Sequence, residues 1–227
     1  MKKFLSFLTL IFVASSISIF SQDIKVTGSK GKLHNHETYI LSYNEEKLNP
    51  DWVIWRLTSA EAARCDTAAG NRKSKFQFCT KTAQHNDYSN STKTGYERGH
   101  MCPNNDRDWD KKAAKNTFRM CNICPQSSTL NRGIWRKYEK AAHTYAYDCE
   151  WIDICCGPIY TAEKGKEKYL SAKSKVVVPE KFFKIFYNSK YEFLECFIFT
   201  QKGEVEKSSI EEIEKLTGFK IKLLKNR

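Results

Sequence analysis

Asn131-Arg-Gly-Ile-Trp-Arg-Lys-Tyr-Glu-Lys-Ala-Ala-His-Thr-Tyr145 is the stretch on which the fold class turns. Ile134, Tyr138, Ala141 and Tyr145 recur at intervals of 4, 3 and 4 residues, an apolar stripe that predicts a helix starting near Asn131. The chain on either side reads as strand. Tyr39 to Tyr43 and Trp52 to Leu57 precede the helix, separated by the turn-rich Asn44 to Pro50. Trp151 to Cys156, Lys175 to Val178, Phe182 to Tyr187 and Phe193 to Thr200 follow it. These runs are aromatic and β-branched, the composition of a pleated, buried or half-buried surface. Strands massed before and after a central helix, without regular βαβ alternation, predict an α+β domain rather than a doubly wound sheet. A second helix is announced by the capping box Ser209-Ile-Glu-Glu212 and by Gly218 at its C-cap. Ser59 to Ser91 is polar and irregular apart from a short helix around Ala60 to Arg64.

The chain has no internal repeat, low-complexity tract or Pro/Gly-rich linker, and its length suits one well-buried domain over residues 22 to 227. Met1-Lys-Lys3 followed by the apolar but serine-softened Phe4 to Phe20 is too short and too interrupted for a spanning helix, which needs about 20 apolar residues. It reads as a signal peptide cut between Ser21 and Gln22, and predicts a secreted or periplasmic protein. The formal net charge is +12, and removing residues 1 to 21 takes away two lysines and no acid, leaving +10. Such a surplus attracts polyanions without choosing among nucleic acid, anionic membrane and acidic polysaccharide.

Nine cysteines in an exported chain favour disulfides, and the odd number leaves at least one thiol unpaired within a monomer. Cys65 and Cys79 flank a polar loop and suggest a local bridge. Cys121-Asn-Ile-Cys124 has redox-motif spacing, but Pro125 follows it and no thioredoxin-like pattern surrounds it, so it reads as structural. No second ligand pair at zinc-site spacing stands out.

The chemistry is concentrated in Gly95-Tyr-Glu-Arg-Gly-His-Met-Cys-Pro103, Thr117-Phe-Arg-Met-Cys-Asn-Ile-Cys-Pro-Gln126, Leu130-Asn-Arg-Gly-Ile-Trp135 and Glu139. A neutral imidazole, reference pKa about 6.5, can take a proton from water. An arginine can clamp phosphate oxygens bidentately, and a hard cation on oxygen ligands can stabilise charge on a phosphate and its leaving oxygen. That inventory suits phosphodiester hydrolysis. Taken singly, each residue has a plainer role: His100 as a surface or core histidine, Asn131 as a helix N-cap, Glu139 as a solvated helix pair partner.

In this order the motifs resemble the DNA/RNA non-specific endonucleases, the ββα-metal or His-Me finger nucleases. The family pattern Asp-Arg-Gly-His, Asn-Ile-x-Pro-Gln, Leu/Phe-Asn-x-Gly-x-Trp and a Glu four residues on appears as Glu97-Arg-Gly-His100, Asn122-Ile-Cys-Pro-Gln126, Leu130-Asn-Arg-Gly-Ile-Trp135 and Glu139. Tyr43-Asn44, Pro50-Asp-Trp-Val53, Cys156-Gly-Pro-Ile-Tyr160, Val177-Val-Pro179 and Ile213-Glu-Lys-Leu-Thr-Gly218 look like further landmarks, so the likeness covers nearly all of residues 22 to 227. The resemblance implies a mostly antiparallel central sheet with flanking helices and a ββα catalytic motif. It implies cleavage of DNA and RNA without sequence readout, leaving 5′-phosphate ends. His100 would be the general base, and Asn131 the direct ligand of one Mg²⁺, with cations such as Mn²⁺ as substitutes. Glu139 would act on the metal through water, Arg98 on the phosphate, and Asn122 as a polar residue at the substrate site. A further family arginine matches Arg72, with Arg64 as the alternative. Eight residues of continuous helix rise about 12 Å, which would keep Glu139 out of the inner shell shared with Asn131. Glu97 departs from the family Asp by one methylene, and the geometry that Asp enforces, such as anchoring the turn that presents His100, is open to change.

Two other readings compete. A catalytically silent nucleic-acid-binding protein on the same scaffold is opposed by intact His100, Asn131 and Glu139. A cysteine-rich binder of acidic glycans explains the charge but leaves the central motif a coincidence.

Overall fold

Val53, Trp55 and Leu57 alternate with Trp52, Ile54 and Arg56 along β4 (Asn49–Thr58), so this strand carries bulky side chains on both faces and has to be covered from both. The computed structural model describes residues 22–67, 75–79, 81–83, 85–88 and 95–225. It places β4 inside a seven-stranded antiparallel sheet with β2 (Lys32–Asn35), β3 (Ile40–Asn44), β7 (Trp151–Ile159), β8 (Lys181–Asn188), β9 (Phe193–Thr200) and β10 (Val205–Lys207). The order is β10-β9-β8-β7-β4-β3-β2. Registers such as Val53 opposite Cys156 and Ile185 opposite Cys196 keep like faces together. The α+β class expected from the strand pattern is the class observed. The expected signal segment, residues 1 to 21, lies outside the described residues. No helix among the described residues is long and apolar enough to cross a membrane.

Each face of the sheet is covered by one principal helix and one two-stranded ribbon, and one face carries two shorter helices besides. Val53, Trp55, Leu57, Ile152, Ile154, Phe182, Phe186, Phe197 and Phe199 pack under α3 (Arg136–Asp148) and the ribbon of β5 (Tyr96–His100) with β6 (Ile123–Ser127). Two shorter helices, α1 (Ser59–Thr67) and α2 (Lys111–Thr117), complete this side. Trp52, Ile54, Cys155, Phe183, Ile185, Cys196 and Ile198 pack on the other side under α4 (Ile210–Thr217) and the ribbon of β1 (Ile24–Thr27) with β11 (Lys220–Leu223).

The predicted caps of α4 are present. Ser209 Oγ accepts from Glu212 N at 3.2 Å, and Gly218 closes the helix at φ +75°, a conformation that costs glycine nothing. The Glu212 carboxylate accepts from Ser208 Oγ at 3.0 Å rather than reaching back to the Ser209 amide.

The central helix differs in detail from its periodicity. Leu130–Trp135 is a π-type turn in which Gly133 (φ −96°, ψ −111°) leaves helical geometry, and regular helix begins only at Arg136. Trp135, Ala142, His143 and Ala146 form the buried centre of its face, and Ile134, Tyr138 and Tyr145 form the shoulder. Tyr138 meets Phe197 with centroids 4.5 Å apart, and Tyr145 meets Phe193 at 4.8 Å. Small alanines at the centre admit the helix close to the sheet, while the aromatic stripe fills the gap alongside.

Two expectations fail. Lys175 to Val178 is not a strand; only Val177 bridges Tyr169. The Val177 backbone is taken up instead by Lys47 O at 3.1 Å and Asn49 Nδ2 at 2.7 Å, and Val176 and Val178 are buried in a small separate cluster. Cys65 is not bridged to Cys79. Among the described residues the disulfide joins Cys79 to Cys121, and Cys65 is a buried thiol. Sequence proximity across the loop had suggested the local pair, whereas the backbone pairing of Gln77 with Phe118 and Met120 draws Cys79 to the β6 side.

Candidate active site

Arg98 and His100 stand two apart on β5 and so share one face of the ribbon. Between them, Gly99 is required by space: a Cβ there would lie 2.1 Å from Gln126 Oε1 on the paired strand. The His100 ring is wedged between Phe76 and Phe118, with centroids 5.7 and 5.0 Å away. Its backbone carbonyl accepts from Trp135 Nε1 at 3.3 Å, which ties the end of β5 to the start of the helix. The Arg98 guanidinium lies over the rings of Phe76 at 5.2 Å and Tyr88 at 5.6 Å. Burial lowers its pKa, but an arginine stays cationic at any working pH.

Asn122 has a different place from the one expected. It is fully buried, its Oδ1 accepts from Cys102 N at 2.9 Å, and its Nδ2 donates to Cys102 O at 2.8 Å and Thr117 O at 2.9 Å. Its own carbonyl accepts from Met101 N at 2.9 Å. Every one of these bonds goes to backbone, three of them in the loop that follows His100 and one at the end of α2. Asn122 is therefore a positioning residue for that loop, out of reach of a substrate.

Asn131 does not cap a helix. It sits inside the π-type turn, and its Nδ2 donates to Glu97 Oε2 at 2.8 Å. That bond fixes the amide and leaves Oδ1, the hard oxygen, as the atom for a cation. Arg132 pairs with the other oxygen of Glu97. Burial pushes the Glu97 carboxyl up, but the hydrogen bonds from Arg132 and Asn131, with the Arg132 charge, outweigh it and hold the group below the usual carboxylate range. The residue that departs from the family Asp is thus the anchor between β5 and the turn that carries Asn131. Its position in the motif was visible in the sequence; its partners were not.

Glu97, Arg98, His100, Asn131 and Glu139 line one pocket of about 590 Å³. The kink at Gly133 breaks the helix between Asn131 and Glu139, so the separation expected of a continuous helix does not apply. Asn104, Asn105 and Asp108 border the pocket as well, and Arg132, Arg136 and Lys140 add to its basic rim; the sequence reading had singled out none of these. The asparagine loop is held from beneath by a buried network. Asp106 accepts from Trp55 Nε1 at 2.8 Å, and its Oδ1 lies 3.2 Å from His143 Nε2, which is 3.0 Å from Asn105 Nδ2. Arg107 donates to Asp106 O at 2.8 Å and Arg56 O at 2.6 Å. Arg72 lies outside the described residues. Its alternative, Arg64, is directed to Trp109, donating to the carbonyl at 3.0 Å and lying 5.2 Å from the ring centroid.

The donor set fits a hard divalent cation: an oriented amide oxygen and a carboxylate, with room for water between them. No soft ligand is needed, although Cys65 borders the pocket, where burial raises its thiol pKa to about 12 and keeps it protonated.

The sequence profile of the family described as DNA/RNA non-specific endonuclease matches residues 19–226. The chain belongs to this family. Human mitochondrial endonuclease G is 28% identical over 166 residues, covering 68% of this chain and 54% of its own length. A nuclease of Nostoc sp. is 32% identical over 150 residues, covering 65% and 51%. Nuclease C1 of Cunninghamella echinulata var. echinulata is 27% identical over 205 residues, covering 82% and 76%. The chain spans about half the length of the mitochondrial relatives. In three dimensions it matches a chain from the crystal structure of the EndoG/EndoGI complex with a TM-score of 0.72 at 23% identity, over 85% of this chain and 86% of that one. The endonuclease family and this chain therefore share the fold as well as the motif.

Proposed function

We propose that this chain is a secreted or periplasmic, divalent-metal-dependent endonuclease that hydrolyses DNA and RNA without reading base sequence and leaves 5′-phosphate ends. The observation that carries the reading is the convergence of His100, Arg98, Glu139 and the Glu97-anchored Asn131 on one basic-rimmed pocket. His100 takes the proton of the attacking water, its ring held by two aromatic neighbours and its backbone by Trp135. Arg98 binds the phosphate oxygens. Asn131 would hold a Mg²⁺ directly and Glu139 through water, and the ion when bound stabilises charge on the phosphate and leaving oxygen. The rim residues Arg132, Arg136 and Lys140 meet the phosphate backbone, the part common to DNA and RNA. The Nostoc and Cunninghamella relatives are named as nucleases and the human one as an endonuclease, which supports the activity. Several relatives are named as mitochondrial, so the compartment rests on the signal-peptide reading of residues 1 to 21.

The test is incubation of the purified chain with closed circular plasmid and with RNA, with Mg²⁺, with Mn²⁺ and with chelator. Metal-dependent loss of both substrates, from internal cuts, is expected. Binding without cleavage under every metal condition would instead identify a silent nucleic-acid-binding protein.

A further inference from the structure

The Cys79–Cys121 disulfide does not stand alone. His34 on β2 and His36 just beyond it bring two imidazoles to the same place, so that one donor atom from each of His34, His36, Cys79 and Cys121 lies within 4.8 Å of the others. The four residues come from three separate segments, which is why no ligand spacing announces them in the sequence. His36 Nε2 is 3.3 Å from Cys121 Sγ. Tetrahedral zinc, with Zn–S about 2.3 Å and Zn–N about 2.0–2.1 Å, sets neighbouring donors roughly 3.3–3.8 Å apart. Small side-chain movements bring the four donors to that spacing. None of the four lines the catalytic pocket.

We propose that, once the Cys79–Cys121 disulfide is reduced, His34, His36, Cys79 and Cys121 bind one Zn²⁺ as a structural Cys₂His₂ site.

The chemistry balances. A dithiol reductant gives two electrons to the Cys79–Cys121 bond and itself becomes a disulfide, and its two protons complete the two new thiols. Zinc binding then displaces both thiol protons, so the ion takes two thiolates and two neutral imidazoles and the centre carries no net charge. The histidines are already in the metal-binding form. Burial, Arg119 and His34 lower the His36 pKa to about 4. Burial and Lys32 lower that of His34 against an opposing pull from Glu45. Both imidazoles are half-buried and reachable from solvent, while the sulfurs are buried.

The location gives the site its consequence. Cys79 follows Phe76 by three residues, and Cys121 lies between Phe118, which also packs on His100, and Asn122, which holds the loop after it. In the oxidised chain the disulfide ties the Cys79 and Cys121 segments, which brace the catalytic histidine, to each other. In the reduced chain zinc would tie the same two segments to each other and, through His34 and His36, to edge strand β2.

The experiment uses the full chain, reduced with a dithiol, desalted anaerobically and titrated with Co²⁺. One equivalent should bind with the intense visible bands of tetrahedral cobalt(II) and a thiolate-to-metal charge-transfer band, both lost on adding Zn²⁺. Zn²⁺ should also raise the thermal midpoint of the reduced chain. The oxidised chain should show neither band, and the oxygen donors of the catalytic pocket cannot produce the charge transfer. The double variant His34→Gln/His36→Gln keeps both cysteines and is the deciding control, because seven other buried cysteines exist. It should still form the disulfide when oxidised and should lose the tetrahedral spectrum when reduced. A reduced wild type without the spectrum, or a histidine variant that retains it unchanged, overturns the proposal.

Discussion

The two faces of the central sheet are built from the same parts and used differently. Each is covered by one principal helix and one two-stranded ribbon, with the shorter α1 and α2 added on the α3 side. On the α4 side the helix is regular, capped by Ser209 and closed by Gly218, and the contact is mostly apolar, its polar groups including the Arg56–Asp153 pair (2.7 Å) with Asp23 (3.5 Å) and the hydroxyls of Ser29 and Ser42 beside Trp52. On the α3 side the helix opens with a kinked π-type turn, and Asp106, Arg107, Asn122, His143 and Lys184 are all buried. Lys184 even sits 3.9 Å from the centroid of Trp135, the residue that ties to His100. Buried polar groups cost stability unless paired, and the pairing here holds the loops and turn that line the pocket. One face stabilises the domain; the other holds a reactive geometry in place. Substitutions should therefore separate into those that change rate and those that change stability.

The largest effect expected is on rate. His100→Ala should lower cleavage by about 10²- to 10⁴-fold, the usual contribution of a positioned general base, while nucleic-acid binding stays near wild type. Kinetics on plasmid DNA, with binding titrations on two unrelated duplexes, check both halves. The variant's affinity should fall with salt at a slope of roughly −0.9 per phosphate neutralised and should not distinguish the duplexes. A folded His100→Ala chain that cuts at the wild-type rate removes His100 from the mechanism.

The opposite signature belongs to Ile213, fully buried under the other face. Ile213→Ala should cost about 2–5 kcal/mol in unfolding free energy. The specific activity of the chain that remains folded should be unchanged. Denaturant melts read the first and active-site-normalised kinetics the second. A fall in kcat at constant folded fraction would mean that the two faces are coupled through the sheet.

Glu97 joins the comparison at its most delicate point. Glu97→Gln removes the charge that holds Asn131 and Arg132, and Asn131→Ala removes the proposed direct ligand of the cation. Both should move the Mg²⁺ dependence of activity to higher concentration, Asn131→Ala further, with little loss of thermal stability. Because the folded Glu97 pKa is depressed, its stabilising contribution is complete above the ordinary glutamate value of about 4.3 and is lost as pH falls through the lower folded value. Metal response in the wild type should therefore deteriorate as the pH falls below the ordinary glutamate range and through the lower folded value, and Glu97→Gln should lack that particular limb. An Asn131→Ala chain with an unaltered metal response would reduce Asn131 to a structural part of the turn.

The smallest effect is on the capped helix. Ser209→Ala should lower stability by about 1 kcal/mol and leave the rate untouched, as read by thermal melts and by kinetics below the transition.

The sequence alone determined what is local and periodic. Aromatic and β-branched runs marked the longer strands of the central sheet, the Ser209 to Gly218 signals marked α4 at both ends, and the ordered motif from Glu97 to Glu139 marked the family and the pocket. Each of these signals is set by a few neighbouring residues, so it survives without the fold. What depends on distant segments was decided only in three dimensions. Asn131 could be read as a helix cap until Gly133 broke the helix and Glu97, 34 residues earlier, took its amide hydrogen. Asn122 fell in the right motif but was turned into the protein by the backbone it has to satisfy. Cys79 found Cys121 rather than Cys65 because the bonds of Gln77 with Phe118 and Met120 draw the two cysteines together, with His34 and His36 beside them. Chain proximity cannot foretell such pairings, since the partner is chosen by tertiary packing and by the need of buried polar groups to be satisfied there.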